Sequence, residues 1–335
     1  MRRRSVLALT AGGAATLASG RLRAQRNGPY RLYRITYRGR TAVEEGFDDY
    51  LAANGVAVEM IERDIGRDAT LLPGLVEEIR QVQPDLVVTW GTPVTLGVAG
   101  RHDEAHGDRH ISDIPIVFAL VSAPLRSAIV PSLERPQRNV TGAVHVVPTE
   151  TQLRAMASYR PFSRLGVLYT PTEPNSVTIV EELAELQPRL GYTLVQRSIR
   201  LGPDGMPIAS GIEELVAEIR ADGADWLYLL PDTFLGTVYD RVVPAALAVD
   251  LPTFGAVELA VRRGGALVAL VSRYYSVGQL AASKALQILR DGRKPDDIPI
   301  ETLSRFSLII NMALARELEL YPPIDMLNYA EVLTE

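Results

Sequence analysis

"LYTPTEPNSVTIVEEL" (168–183) carries an apolar run, Leu165, Val167 and Leu168, through two prolines, several hydroxyls and an amide into a helical pattern. Thr172, Asn175 or Ser176 is suited to cap the helix, because a helix start leaves four backbone N–H groups unpaired. Pro174 fits a first turn, and Val177, Val180, Leu183, Ala184 and Leu190 mark one buried face. A strand that ends at an open helix N-terminus is also suited to an anion or carboxylate. Whether this turn is more than a cap depends on other strand ends facing it.

Working outward, the same plan recurs. "RLYRITY" (31–37) precedes a helix around 41–53, "VAVEMIE" (56–62) one near 70–82, and "DLVVTW" (85–90) one from about 93. "IPIVFALV" (114–121) is expected to lead through a short helix to "NVTGAV" (139–144). In the second half "RLGVLY", "YTLVQRS", "DWLYLL", "PTFG" and "ALVALV" each adjoin helical patterns. Continuous apolar strands bracketed by helices predict parallel sheets in doubly wound α/β domains, and 335 residues suit two of them. In such sheets ligands sit beyond the carboxyl ends of the strands. Those ends carry Gly91 and Thr92 in "TWGTPVTLG", Ser122 in "LVSAPLRSA", Asp232 in "LLPDTFLG" and Glu258 in "TFGAVELA".

Composition narrows the function classes. The chain is 47% hydrophobic and 22% charged, with no cysteine and four histidines. Thiol catalysis, disulfides and thiolate metal sites are excluded. The N-terminus, "MRRRSVLALTAGGAATLASGRLRAQ", has the basic start, short apolar middle and cleavable Ala24 of a secretory signal, and Arg3-Arg4 suggests the twin-arginine route. That expected signal peptide (1–25) holds five of the 35 basic residues and none of the 40 acids, so the remainder carries a net charge of −10. An acidic balance excludes a nucleic-acid footprint. His102, His106 and His110 recur every four residues in "GRHDEAHGDRHISD" (100–113), but Gly107 and the surrounding charges favour a solvated loop over a metal site. No GxSxG, GxxxxGK[ST] or GxGxxG motif stands where catalysis or phosphate binding would need it.

The succession "EEGFDDYLAANG", "PDLVVTWGTP", "IPIVFALVSAP", "PQRNVTGA", "RLGVLYTPTEPNSV", "GQLAASKALQILRDGRKPDDIPI" and "LIINMALARELEL" resembles the ABC transporter solute-binding proteins typified by tryptophan- and tyrosine-binding lipoproteins. The resemblance spans nearly all of the chain after the signal. It implies a type I periplasmic binding fold: two doubly wound α/β lobes joined by a hinge, 28–143 plus 275–300 and 144–274 plus 301–335. It also implies a periplasmic receptor, without cofactor, metal or catalysis, that closes over a small molecule such as an amino acid or small carboxylate and delivers it to an ABC permease. A receptor serving a membrane sensor is the alternative; a two-domain α/β enzyme is a further one. The chain departs from the family where Ala123-Pro124 replaces the usual Asp-Pro and in the long 100–113 connection.

The expected site draws on both lobes. Asn175 and Ser176 at the helix start are to bind a carboxylate or similar group, and Asp232 and Glu258 to accept from a cationic or hydroxyl group. From the other lobe Gly91 and Thr92 allow close approach, Ser122 adds a donor, and Tyr37 covers an apolar part. Trp90 reads equally as core or as ligand platform.

Overall fold

The structure, a computed structural model, describes residues 28–105 and 107–334. The signal segment and His106 lie outside the described residues.

The first half alternates β1 (Tyr30–Thr36), α1 (Ala42–Ala53), β2 (Val58–Asp64), α2 (Leu72–Val82), β3 (Leu86–Trp90), α3 (Gly91–Ala99), β4 (Ile116–Val121) and β5 (Val140–Val144). The short helix expected between β4 and β5 does not form. Residues 124–128 make tight turns there, with Ile129 N–H donating to Pro124 O at 2.9 Å. The second half continues with α4 (Thr149–Tyr159), β6 (Arg164–Tyr169), α5 (Pro174–Leu190), β7 (Thr193–Ser198), α6 (Ile212–Ala221), β8 (Trp226–Leu229), α7 (Tyr239–Leu247), β9 (Thr253–Gly255), α8 (Glu258–Arg262) and β10 (Val268–Val271). The C-terminal part holds α9 (Tyr274–Leu289), β11 (Glu301–Thr302), β12 (Ser307–Asn311), α10 (Met312–Glu317), α11 (Ile324–Leu327) and β13 (Glu331–Leu333).

These strands form two sheets, ordered β11-β5-β4-β3-β1-β2 and β13-β12-β10-β9-β8-β6-β7. Every pairing is parallel except β10 with β12, which runs antiparallel from Val268↔Ile310 to Val271↔Ser307. β3 and β4 are buried along their whole length, as strands covered by helices on both faces must be. Each sheet has its own core. One apolar cluster runs from Leu153 to Met326 in the second sheet, and two clusters cover the two faces of the first.

The chain passes between the sheets after β5, after β10 and after β11. Helix α9 follows β10 yet packs on α1 of the first sheet. Its backbone comes so close that a Cβ on Gly46 would strike the Tyr275 carbonyl, and one on Gly278 the Val43 carbonyl. The expected return at residue 301 falls slightly too early. Glu301–Thr302 pairs with Ala143 and Val144 in the first sheet, so the last passage lies between β11 and β12. Among the described residues no helix is long and apolar enough to cross a membrane.

Candidate ligand-binding site

The carboxyl ends of the two sheets face one another across a narrow cleft that is partly open to solvent. From the first sheet come Arg38 beyond β1, Trp90, Gly91 and Thr92 at the β3–α3 junction, Leu120 and Ser122 at the end of β4, and His145 after β5. From the second come Asn175 at the start of α5, Pro231, Asp232, Thr233 and Gly236 after β8, Tyr239, and Val257 and Leu259 after β9.

Local backbone devices shape the first rim. Gly91 has φ 78°, a left-handed conformation that costs a glycine little and lets β3 turn straight into α3. Leu120 also has positive φ, 58°, and the β4–β5 register shifts between Ala119 and Val121. That irregularity turns Leu120 into the cleft, a use to which bulges near binding sites are often put.

Asp232 organises the second rim. Its Oδ2 accepts from Thr170 N–H at 2.8 Å and the Ser176 hydroxyl at 2.7 Å; its Oδ1 accepts from the Thr170 hydroxyl at 3.0 Å and Leu235 N–H at 2.8 Å. Four internal donors thus occupy the four acceptor positions of a carboxylate. The expected direct role in accepting from a ligand is therefore replaced by holding the ends of β6 and β8 together. Ser176, fully buried, serves Asp232 and does not line the cleft.

Asn175 does line it, without capping α5. The N-cap residue is Glu173, and no side chain caps this helix start, contrary to the expectation for Thr172, Asn175 or Ser176. The Asn175 amide donates to Pro231 O at 2.9 Å and Glu173 Oε2 at 3.3 Å, leaving its Oδ1 buried with no partner among the described residues. Glu173 accepts from Thr233 N–H and Phe234 N–H at 2.8 Å each. Burial, with Asp232 beside it, pushes its pKa up to about 7 against the pull of those two N–H groups. Burial likewise raises the Asp232 pKa.

Two further expected residues stand outside the lining. Tyr37 stacks nearly parallel to Trp90, centroids 6.2 Å apart, and so supports the indole from outside the cleft. Glu258 accepts from Tyr274 N–H at 2.8 Å and pairs with Arg262 and Arg273, tying α8 to the passage between the sheets. Of the eight expected residues, Gly91, Thr92, Ser122, Asn175 and Asp232 are brought together at the cleft.

Arg38, Glu173 and His145 carry no expectation from sequence. The Arg38 guanidinium lies 5.0 Å over the Trp90 ring and has no hydrogen bond or ion pair among the described residues. It reaches the opposite rim, since a Cβ on Gly236 would stand 2.8 Å from its Nη1. His145 is buried edge-on against Tyr274, and burial lowers its pKa to about 3, so the ring is neutral at physiological pH. Its Nδ1 and the Trp90 Nε1 are both buried without partners among the described residues. Arg38 stands in "ITYRGR" (35–40) as one arginine of two, with nothing in the sequence to mark it. Among the described residues no group of three or more His, Asp or Glu side chains is placed to hold a metal.

Comparison with known proteins bears on the fold and the family. A tyrosine-binding protein of Clostridioides difficile is 28% identical over 209 residues, 62% of this chain and 58% of that protein, so the match spans less than two thirds of the relative. A conserved domain protein of Vibrio cholerae superposes with a TM-score of 0.79 at 24% identity, covering 92% of this chain and all of that one. The ABC domain of Streptococcus pneumoniae solved in complex with L-Trp superposes at 0.78 with 22% identity, covering 91% and 100%. These likenesses establish the type I periplasmic binding protein-like fold. The family model for ABC transporter substrate binding proteins matches residues 35–333, and the chain belongs to that family.

Proposed function

We propose that the protein is an extracytoplasmic receptor that captures a small molecule between its two lobes and presents it to an ABC permease, with no chemistry of its own. One observation carries the reading. Buried polar atoms without partners come from both rims of a single cleft, Trp90 Nε1 and His145 Nδ1 from one and Asn175 Oδ1 from the other. Unpaired buried polar groups cost stability, and a ligand touching both rims would pair them only when the lobes are together. Arg38, Thr92, Ser122 and Asn175 are the proposed ligand contacts. Asp232, Ser176, Glu173 and Tyr37 hold them in place, and Glu258 braces the passage.

The lobe limits given by the sequence, adjusted so that β11 stays with the first sheet, are the proposed rigid bodies. The segments around 144–149, 272–274 and 303–306 are the proposed hinge. Three connecting segments restrict the lobes to a clamshell motion. Relatives described as binding tyrosine or L-Trp support capture of a small organic solute. The basic–apolar–Ala24 pattern supports export, and the secreted protein should begin near Gln25 on N-terminal sequencing.

The test is native mass spectrometry of protein isolated from the cell envelope, with small-angle scattering before and after removal of what it carries. A bound small molecule whose removal expands the particle is expected. Protein that carries nothing and does not change shape in a metabolite extract would contradict the reading.

A further inference from the structure

The unpaired groups of the cleft differ in kind, and the difference bears on ligand chemistry. Beside the neutral His145 ring, the first rim offers strong donors. Arg38 presents guanidinium N–H groups with no carboxylate against them, and Trp90 adds a buried indole N–H. A guanidinium lying over an aromatic face keeps its edge free for two parallel bonds to a carboxylate. Because Arg38 and Tyr37 already lie against the indole, Trp90 works as a support for that guanidinium more than as an open platform.

On the second rim the buried acceptor left without a partner among the described residues is a neutral one, Asn175 Oδ1. Its orientation is fixed by the backbone, since turning the amide would set its oxygen against Pro231 O. No open carboxylate accompanies it. Asp232 is saturated by its four internal donors, and Glu173, held by the N–H groups of Thr233 and Phe234, does not line the cleft. An ammonium group brings a charge as well as three N–H donors, and neutral acceptors such as Asn175 Oδ1 and the lining hydroxyls leave that charge without an open carboxylate. A hydroxyl needs only the one acceptor.

We propose that the cleft is selective for a small carboxylate bearing a neutral hydroxyl donor, a hydroxy acid, over the matching α-amino acid. The carboxylate engages Arg38 and Trp90 Nε1 on the first rim, and the hydroxyl donates to Asn175 Oδ1 on the second. This rests on the cleft being the capture site, and it departs from relatives whose names specify amino acids.

The test uses pairs that differ only at C2: L-lactate with L-alanine, L-phenyllactate with L-phenylalanine, and 4-hydroxyphenyllactate with L-tyrosine. Each is titrated by calorimetry into the wild-type protein and into Arg38→Met, which keeps the apolar stem and breaks no internal bond. In at least one pair the hydroxy acid should bind tenfold or more tightly than its partner, and Arg38→Met should lose that binding tenfold or more. If an amino acid binds as well as or better than its hydroxy partner, and Arg38→Met loses it, the ligand class is wrong and the cleft stands as the capture site. Hydroxy-acid binding untouched by Arg38→Met removes both. Failure of all six probes to bind overturns the class proposal, leaving capture to the mass-spectrometric test.

Discussion

Ser176 donates its hydroxyl to Oδ2 of Asp232 across 2.7 Å, joining the first turn of α5 to the turn after β8, 56 residues further on. Both residues are buried, and Thr170 completes the junction through its N–H and hydroxyl. Removing the carboxylate strands these donors in the interior, at about 1–3 kcal/mol for each group left unpaired. Asp232→Ala should therefore destabilise the protein by about 3 kcal/mol or more, and Ser176→Ala by about 1–2 kcal/mol, in urea unfolding. Losses below about 0.5 kcal/mol in both variants would show that the junction does not hold the rim together.

The parallel sheets were legible in the sequence because a strand buried on both faces has nothing but apolar residues to show. "DLVVTW" and "IPIVFALV" announce themselves without help from neighbours. The antiparallel β12 was not legible in that way, since "SLIIN" would suit either direction and only its pairing with Val268–Val271 decides. The site divided similarly. Gly91, Thr92 and Ser122 follow from being at strand ends. Glu173 looked like one more polar residue in a capping cluster, because its role lies with Thr233 and Phe234, about sixty residues away. Arg38 gave no signal in a chain whose 35 basic residues include only two lysines, Lys284 and Lys294. The guanidinium becomes distinctive only once the fold leaves it without a carboxylate.

Glu173 makes stability depend on pH. Folded, its carboxyl keeps its proton up to about pH 7; unfolded, it ionises near the usual 4.5. The raised folded value favours the native state below pH 4.5, and this contribution is lost as pH rises from 4.5 to 7. The sign follows from the raised value, because the unfolded chain releases its proton at lower pH than the folded one does. Glu173→Gln cannot titrate, so the fall in stability between pH 5 and pH 8 should be smaller in the variant than in wild type. Chemical denaturation at the two pH values measures it, and equal falls would place the titration elsewhere.

The packing of α9 on α1 depends on two glycines. A Cβ at Gly46 or Gly278 meets backbone carbonyls of the opposite helix, which cannot swing aside as a side chain can. Either alanine variant should cost at least about 2 kcal/mol, as overpacking in a close-packed interface does. Gly74, in α2, is the control, because a Cβ there has nothing within 4 Å. Gly74→Ala should gain up to about 1 kcal/mol by restricting the unfolded chain. Thermal melts of the three variants settle the contrast, and a harmless Gly46→Ala would mean that the helices separate at little cost.

Gly236 tests the reach of Arg38 across the cleft. An added Cβ there meets the end of the Arg38 side chain at 2.8 Å and Leu259 Cδ2 at 3.4 Å, with no backbone among its nearest neighbours. A long side chain can move away, so Gly236→Ala should change unfolding stability by about 0.5 kcal/mol or less, the usual range for a site without buried partners. The guanidinium would be pushed from its place between the rims, so ligand affinity should fall about tenfold, equivalent to about 1.4 kcal/mol. The ion pairs from Arg126 to Glu181 and Glu185 also join the two sides, but at 3.4 Å and largely exposed they contribute little. Arg126→Ala should leave both stability and affinity nearly unchanged. Calorimetry with the captured molecule on both variants separates the contributions. If Arg126→Ala weakens binding more than Gly236→Ala does, closure is governed by the outer ion pairs and not by Arg38 at the centre.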